Sequence, residues 1–125
     1  MRLLLDTHAL VWWISDVSRL TENARAAIAD PHNDIFVSAI TAWEITVKRA
    51  KGHLTAPDNL SSVIEEKGFE HLPLTFFHAE QAGLLPLHHR DPFDRLLIAQ
   101  AQAEGLTLVT RDRHIRRYGI RTLTA

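Results

Sequence analysis

Short apolar runs alternate with longer amphipathic segments along the whole chain. The apolar runs are rich in Leu, Val and Ile, have the length of strands, and mostly lack the strict apolar–polar alternation of a half-exposed strand. They are Leu3–Leu5, Ile35–Ser38, His71–Leu74, Thr107–Thr110 and Arg121–Leu123. Strands of this kind are buried on both faces, so the pattern predicts a central sheet with helices on either side.

Segments with helical periodicity separate these runs. They are Thr7–Ile14, Thr21–Ala29, Thr41–Lys51, Leu60–Lys67, Phe76–Leu84, Pro92–Glu104 and Arg113–Tyr118. Two of them carry helix-start signals, because Thr21 precedes Glu22 and Asp91 precedes a proline suited to the first helical position. Strands that alternate with helices predict an α/β fold with a mostly parallel sheet.

The length and the absence of linkers favour one domain over residues 1–125. A chain of 125 residues suits a single domain, and neither an internal repeat nor a Gly/Ser-rich stretch divides it. The longest apolar run, Ala9 to Ile14, is too short to span a bilayer, and Asp6 interrupts the apolar start that a signal peptide would need. We therefore expect a soluble, cytoplasmic protein with no membrane partner.

Cysteine content and charge exclude several classes of chemistry. The chain has no cysteine, which excludes disulfides, thiol nucleophiles and thiolate metal sites. Its formal net charge of -1 requires that any nucleic-acid binding use a local patch. Basic residues do cluster in two groups, each equally compatible with a solvated surface: Lys48, Arg49 and Lys51, and Arg111, Arg113, Arg116, Arg117 and Arg121.

Four acidic residues fall where strands end or where the following helices begin. Asp6 follows the first strand and Asp112 follows "LTLVT" after one residue, while Glu44 and Asp94 lie in the first turns of predicted helices. Ligand sites of open α/β sheets form beyond the carboxyl ends of the strands. We therefore expect these four acids to share one edge of the sheet.

Two interpretations of the four acids are open at this point. Each can cap or complement a helix N-terminus, with Thr41 and Glu44 spaced as a capping box and Asp91 with Asp94 as a near relative of one. Alternatively the acids form a desolvated cluster, which requires protons or a cation. Carboxylates without thiolates favour Mg²⁺ or Mn²⁺, which can activate water against a phosphodiester.

Other polar residues narrow the choice. Thr7, Ser38 and Thr110 lie at or beside strand ends, where they can orient a carboxylate or serve a local turn. The chain contains neither of the Gly-rich phosphate-binding motifs G-x-x-x-x-G-K-[ST] and G-x-G-x-x-G. The eight histidines contain no H-E-x-x-H, and the adjacent His88 and His89 would point in different directions, so a histidine-bound metal is disfavoured.

Four stretches together resemble one known family. They are "LLLDTHALVWW", "VSAITAWEITVKRAKG", "HRDPFDRLLIAQAQAEGLTLVTRD" and "IRRYGI". Over essentially its whole length the chain resembles PIN-domain proteins, specifically VapC-type toxins of type II toxin–antitoxin systems. The resemblance implies a PIN-like three-layer fold with a sheet of about five strands. It places the metal-binding, catalytic acids at Asp6, Glu44, Asp94 and Asp112, with supporting roles at Asp91, Thr7, Ser38 and Thr110.

The same resemblance implies a function and partners. It implies an Mg²⁺- or Mn²⁺-dependent endoribonuclease that cleaves structured or single-stranded RNA such as tRNA. It also implies a homodimer, inhibition by a cognate antitoxin, and binding of promoter DNA only through the antitoxin complex. Because the net charge is near zero, we expect arginines near the acidic edge to contact RNA phosphates, although the first of them could instead pair with a site carboxylate: Arg95, Arg111, Arg113 and Arg116.

Three alternatives compete with this interpretation. A receiver-like signalling module also gathers acids at strand ends, but it usually needs a lysine at a strand end, and Lys48, Lys51 and Lys67 all lie in helical segments. An aspartyl phosphatase is disfavoured because "DTH" lacks a second aspartate two positions on. A catalytically inactive PIN scaffold is the third, which a nuclease assay distinguishes from an enzyme.

Overall fold

A single parallel sheet forms the centre of the protein. The computed structural model describes all 125 residues. Its five strands are β1 (Arg2–Leu5), β2 (Asp34–Ser38), β3 (Glu70–Leu72), β4 (Thr107–Thr110) and β5 (Thr122–Thr124). They pair in parallel in the order β3-β2-β1-β4-β5, with Leu4 of β1 opposite Phe36 of β2 and Leu108 of β4. The predicted α/β fold with a parallel sheet is confirmed.

Six α-helices connect the strands. They are α1 (Thr7–Ser15), α2 (Glu22–Ala29), α3 (Ala39–Ala50), α4 (Leu60–Glu66), α5 (Phe76–Leu84) and α6 (Pro92–Glu104), and two short 3₁₀ helices cover Val17–Arg19 and Ile115–Tyr118. None of these helices combines the length and the apolar composition that crossing a lipid bilayer requires.

Two predicted helix starts differ from the structure. Helix α3 begins at Ala39 because the Ser38 hydroxyl accepts a hydrogen bond from the Ile40 N–H at 3.0 Å. Thr41 therefore lies inside the helix, and the predicted Thr41–Glu44 capping box is wrong. The last predicted helix, Arg113–Tyr118, is a short 3₁₀ helix over Ile115–Tyr118. Gly119 ends it in the left-handed conformation with φ 70°.

Apolar side chains pack on both faces of the sheet. Leu3 and Leu5 of β1 point into a cluster with α1 to α4, whereas Leu4 points into a second cluster with α6. All three leucines are fully buried, which contributes about 1.5–3 kcal/mol each. The period of two along β1 therefore builds three layers, as the resemblance implies.

The strand order fixes where a site can form. The chain winds outward from β1 through β2 to β3, and then returns to the other side of β1 with β4 and β5. The switch between the two directions lies between β1 and β4, where α/β sheets open a crevice beyond the strand ends. Asp6 follows β1 at this point, and its N–H donates to the Val109 carbonyl of β4 at 3.1 Å.

Candidate functional site

A polar cavity of about 230 Å³ opens at the switch point. Its wall contains five carboxylates, Asp6, Glu44, Asp91, Asp94 and Asp112, together with Thr7, His8, Trp12, Lys48 and Arg111. The structure thus brings all four predicted acids to one cavity. A larger cavity of about 510 Å³ between α3, α4 and β3 is more apolar, and Asp58 is its one carboxylate.

Asp6 lies at the bottom of the site and caps a helix. Its Oδ1 accepts the Ala9 N–H at 2.8 Å, which starts α1, and the residue is 7% exposed. Burial raises the pKa of the Asp6 carboxyl and the nearby Glu44 charge adds to the rise, while hydrogen bonds from Ala9 and the Thr110 side chain oppose it. The capping and cluster interpretations therefore both describe Asp6.

Glu44 is buried beside Asp6, at 4% exposure, and both of its oxygens have partners. Oε1 accepts the Thr7 hydroxyl at 2.5 Å, and Oε2 forms an ion pair with Lys48 one helical turn later. The bond to Glu44 raises the pKa of the Lys48 ammonium. Sequence reasoning grouped Lys48 with surface charges, although the Glu–Lys spacing of four residues on α3 could have indicated this pair.

Asp94 lies in the first turn of α6, which Asp91 caps through the N–H groups of Phe93 and Asp94 at 2.8 and 3.3 Å. Burial raises the pKa of the Asp94 carboxyl to about 7, and the charges of Asp91, Asp6 and Glu44 contribute to the rise. His89 acts in the opposite direction. Asp94 therefore carries the cost of crowding several carboxylates into one cavity.

Asp112 lies in the segment after β4, where the Thr110 hydroxyl accepts its N–H at 3.1 Å. Its Oδ1 accepts the His114 N–H at 2.8 Å, and its Oδ2 lies 2.7 Å from His89 Nε2. Burial tends to raise the pKa of Asp112, but the hydrogen bonds from His89 and His114 outweigh it and leave the pKa lowered. The 3₁₀ helix that follows has no side-chain cap, so the capping interpretation of Asp112 is wrong.

His89 is a residue of this site that sequence reasoning missed. Its Nε2 lies 3.1 Å from Asp94 Oδ2 as well as 2.7 Å from Asp112, and the three donor atoms lie within 4.8 Å of one another. The adjacent His88 does point elsewhere, onto the Tyr118 ring, as expected of neighbours in the chain. The available signal was the position of His89 in "HRDPFD", two residues before the cap of α6.

Arg95 has a different role from the predicted RNA contact. Its guanidinium donates four hydrogen bonds of 2.8–3.2 Å to backbone carbonyls in the last turn of α5 and in the segment that joins α5 to α6, those of Ala82, Leu85, Pro86 and His89. These bonds use four of its five N–H groups. Arg95 therefore holds the segment that carries His89, and its hydrogen bonds go to carbonyls and not to a site carboxylate.

The other three predicted arginines differ in how free they are. Arg111 lines the cavity but donates to the Ala125 carbonyl at 2.8 and 2.9 Å and lies 4.5 Å over the Trp12 ring. Arg116 donates to the Thr124 hydroxyl at 2.7 Å. Arg113 is exposed and its side chain has no hydrogen-bond or ion-pair partner, which leaves it available to a ligand.

The donor set fits a hard divalent cation. Five carboxylates face one cavity, and only Lys48 and Arg111 bring permanent positive charge to its wall. Burial, and after it the neighbouring carboxylates, raise the pKa of both Asp6 and Asp94, so a cation in the cavity would stabilise their charged forms. Oxygen ligands without thiolates select Mg²⁺ or Mn²⁺. The cavity can therefore hold such an ion, and the group whose ligand atoms lie within 4.8 Å of one another is His89, Asp94 and Asp112.

Sequence comparisons match the chain to known proteins. The family model described as PIN domain matches residues 3–121. Ribonuclease VapC22 of Mycobacterium tuberculosis is 32% identical over 117 residues, which cover 90% of this chain and 88% of that protein.

Solved structures share the fold at lower sequence identity. VapBC2 from Rickettsia felis, bound to a promoter DNA fragment, matches with a TM-score of 0.73 and 18% identity and covers 98% of both chains. DNA-bound VapBC from Salmonella typhimurium also has a TM-score of 0.73, at 23% identity over 98% of this chain and 97% of that one. A toxin–antitoxin complex from Klebsiella pneumoniae has a TM-score of 0.66 at 24% identity, over 98% and 96%.

Proposed function

Because the chain belongs to the PIN domain family and resembles VapC ribonucleases over nearly its whole length, we propose that it is the endoribonuclease toxin of a toxin–antitoxin pair. The observation that carries the proposal is the cavity in which Asp6, Glu44, Asp94 and Asp112 meet at the switch point of the sheet. In this proposal residues 1–125 form a single PIN domain that hydrolyses RNA phosphodiester bonds.

We assign Mg²⁺ or Mn²⁺ as the cofactor and the same four acids as the residues that hold it. A bound ion of this kind supplies a water of lowered pKa for attack on the phosphodiester and neutralises charge on the phosphate. The donor chemistry supports this assignment, since the cavity offers only oxygen ligands from carboxylates and hydroxyls besides the rings of His8 and His89.

The protein prepares the cavity through residues that fix the acids. The Thr7 hydroxyl and the Lys48 ammonium hold the two oxygens of Glu44, and the backbone of α1 holds Asp6. Such fixed partners hold the carboxylates in one arrangement before the substrate arrives. At the rim, the Arg111 guanidinium over Trp12 offers positive charge beside an aromatic face, which suits a nucleic-acid strand.

The proposed partners are RNA such as tRNA, a cognate antitoxin, promoter DNA through the antitoxin, and a second copy of the chain. Support for an antitoxin comes from the solved structures, which are toxin–antitoxin complexes, two of them bound to DNA. Support for protein partners also comes from large apolar side chains exposed on and after α5, namely Phe76, Phe77, Leu84 and Leu87.

The strand order argues against the receiver-like alternative. Receiver domains of the flavodoxin-like type have the order 2-1-3-4-5, whereas this sheet has β3-β2-β1-β4-β5. An inactive PIN scaffold shares the observed order, so the distinction between scaffold and enzyme rests on activity.

A cleavage assay with matched variants tests the proposal. Purified protein should cut RNA with Mg²⁺ or Mn²⁺, and EDTA should stop cleavage. Asp94→Asn should lose activity, while Asp58→Asn, which removes the same charge from a fully exposed site outside the polar cavity, should keep it. Full activity in EDTA would contradict metal dependence, and an inactive wild type under all conditions would favour the scaffold.

Co-expression tests the toxin assignment separately. The small protein encoded beside this gene should form a stable complex with the chain and suppress cleavage. A wild type that is harmless when expressed alone and that co-purifies with no partner would contradict the toxin assignment while leaving the ribonuclease assignment standing.

A further inference from the structure

The His89 ring lies between carboxylates of two different elements in the cavity. Its Nε2 lies 2.7 Å from Asp112 in the segment after β4 and 3.1 Å from Asp94 on α6. The imidazole is 14% exposed, so water cannot readily replace it as a partner. Asp94 and Asp112 are therefore joined through His89.

The other ring nitrogen fixes the tautomer. His89 Nδ1 lies 3.1 Å from the Asp91 backbone nitrogen, and a backbone N–H can only donate. Nδ1 must accept this bond with its lone pair, so the ring proton of the neutral imidazole lies on Nε2. The neutral ring thus already carries, on Nε2, the hydrogen that it donates to Asp112.

This tautomer decides between two roles of the cluster formed by His89, Asp94 and Asp112. A neutral imidazole that ligates a metal through Nε2 carries its hydrogen on Nδ1. Here that hydrogen would face the Asp91 N–H, and two donors would oppose each other. The arrangement favours a ring that donates to metal-binding carboxylates over a ring that binds the metal.

The backbone of His89 is held firmly enough for its ring to orient other groups. Its N–H donates to the Tyr118 hydroxyl at 2.9 Å, and that hydroxyl donates to the Pro86 carbonyl at 2.6 Å. Its carbonyl accepts from Arg95 at 3.2 Å. These contacts anchor the segment before α6 on both sides of the ring.

From these contacts we propose that His89 is a positioning residue, which donates its Nε2 hydrogen to Asp112, keeps the same ring nitrogen 3.1 Å from Asp94, and holds both carboxylates where one divalent cation can use them. The proposal rests on the metal-dependent function proposed above. Hydrogen bonds to ligating carboxylates are commonly worth about 10- to 100-fold in metal affinity. His89 would therefore act through the acids and would not touch the metal.

Two amide variants separate the two ring nitrogens. The amide nitrogen of Gln in His89→Gln reaches the position of Nε2 and can donate to the carboxylates. The shorter His89→Asn places its amide oxygen near Nδ1, where it can accept the Asp91 N–H, but it cannot reach Asp112. His88→Ala serves as the matched control, because His88 is the exposed neighbour that packs on Tyr118.

The affinity for Mn²⁺ is measured by monitoring the electron paramagnetic resonance signal of the free ion. We expect His89→Asn to weaken Mn²⁺ binding by about tenfold or more, and His89→Gln and His88→Ala to bind nearly as wild type does. The signal of Mn²⁺ bound to the wild type should show no hyperfine coupling from the His89 ring nitrogen. In this respect the wild type and His89→Gln should therefore give the same signal. Thermal melts of the metal-free variants show that both amide variants are folded.

Each departure from this pattern has a definite meaning. Binding by His89→Asn as tight as wild type, or binding by His89→Gln as weak as His89→Asn, would overturn the positioning role. A nitrogen coupling lost in His89→Gln would identify the ring as a ligand and overturn it as well. A wild type that does not bind Mn²⁺ at all would instead overturn the proposed metal-dependent function.

Discussion

The two halves of the acidic cavity are built differently. The inner pair, Asp6 and Glu44, is buried and lies on β1–α1 and α3, elements that the apolar core fixes. The outer pair, Asp94 and Asp112, is partly exposed and lies on the first turn of α6 and on the segment after β4. The inner pair has its partners on α1, α3 and β4, whereas the outer pair shares contacts with His89.

The outer pair shows that partners, more than burial, determine which acid holds a proton. Burial is the largest single influence on the pKa of both carboxyls, and acting alone it would raise each pKa. Asp112 nevertheless ends with a lowered pKa because His89 and His114 donate to it, while the pKa of Asp94 rises to about 7 beside Asp91, Asp6 and Glu44. Asp94 is thus an acid whose charged form a bound cation would stabilise.

The largest expected effect is on activity, from the inner pair. Asn caps helices about as well as Asp, so Asp6→Asn should keep the bond to the Ala9 N–H and remove only the charge. RNA cleavage should fall by more than about 100-fold, beyond the usual effect of a group that only orients a ligand. Melts in EDTA should show no loss of stability. A variant that is destabilised yet active would make Asp6 a cap without a part in the chemistry.

The second effect is on stability and distinguishes the outer acids. Unfolded Asp94 loses its proton near its ordinary value of 3.8, whereas the folded protein keeps it up to about pH 7. The folded state therefore binds more protons in this window, and its stability falls as the pH rises through it. In EDTA this term should cost about 2–4 kcal/mol between about pH 4 and pH 8, measured by urea unfolding.

The matched variants for this measurement are Asp94→Asn and Asp112→Asn. The first should remove the loss of stability at high pH. Asp112→Asn should remove a contribution to stability that has the opposite pH dependence. The lowered pKa of Asp112 stabilises the folded protein at pH values above the ordinary pKa of the carboxyl, and this stabilisation disappears as the pH falls. Equal pH profiles of wild type and Asp94→Asn would show that Asp94 is not crowded by the other acids.

The third effect concerns the segment that serves only the outer pair. Arg95→Lys keeps the charge but loses the planar fork that binds four carbonyls, so we expect a loss of about 1.5–3 kcal/mol in urea unfolding. Arg90→Lys, at an exposed position of the same segment, is the control. A loss no larger than that of the control would mean that the carbonyl contacts contribute little.

The smallest effect lies outside both pairs, on RNA binding beside Asp112. Each phosphate contact to a single strand contributes about 0.7 to the slope of log affinity against log salt. Arg113→Ala should lower the slope by about this amount, and Arg116→Ala by less, because Arg116 is already bonded to Thr124. An unchanged slope for Arg113→Ala would place Arg113 on a merely solvated surface.

The sequence predicted the strands and most helices because their signals are local. Buried strands such as Leu3–Leu5 are apolar throughout, and the start of α6 is marked by Asp91 and Pro92. The meeting of the four acids in one cavity also followed, since parallel strands end at one edge. The wrong start predicted for α3 also has a local cause. Ser38 and Thr41 are both good helix caps, and the helix begins after Ser38.

The partners of the acids could not be predicted in the same way. Arg95 binds one carbonyl at the end of α5 and three in the irregular segment that follows, and no periodicity encodes the path of such a segment. The direction of the His89 ring depends on the Asp91 N–H and therefore on how α6 begins. Both sets of contacts require the folded backbone, which explains why the sequence did not predict them.

The anchoring of the "DPFDR" segment has a consequence for evolution. Asp91 caps α6 and Arg95 ties down the preceding backbone, so both are needed for folding whether or not RNA is cut. Asp94 between them costs stability when no cation is bound. A descendant that lost its catalytic duty would thus be selected to replace Asp94 first and to retain its two neighbours. In a relative that no longer cleaves RNA, we therefore expect the first substitution in "DPFDR" at Asp94.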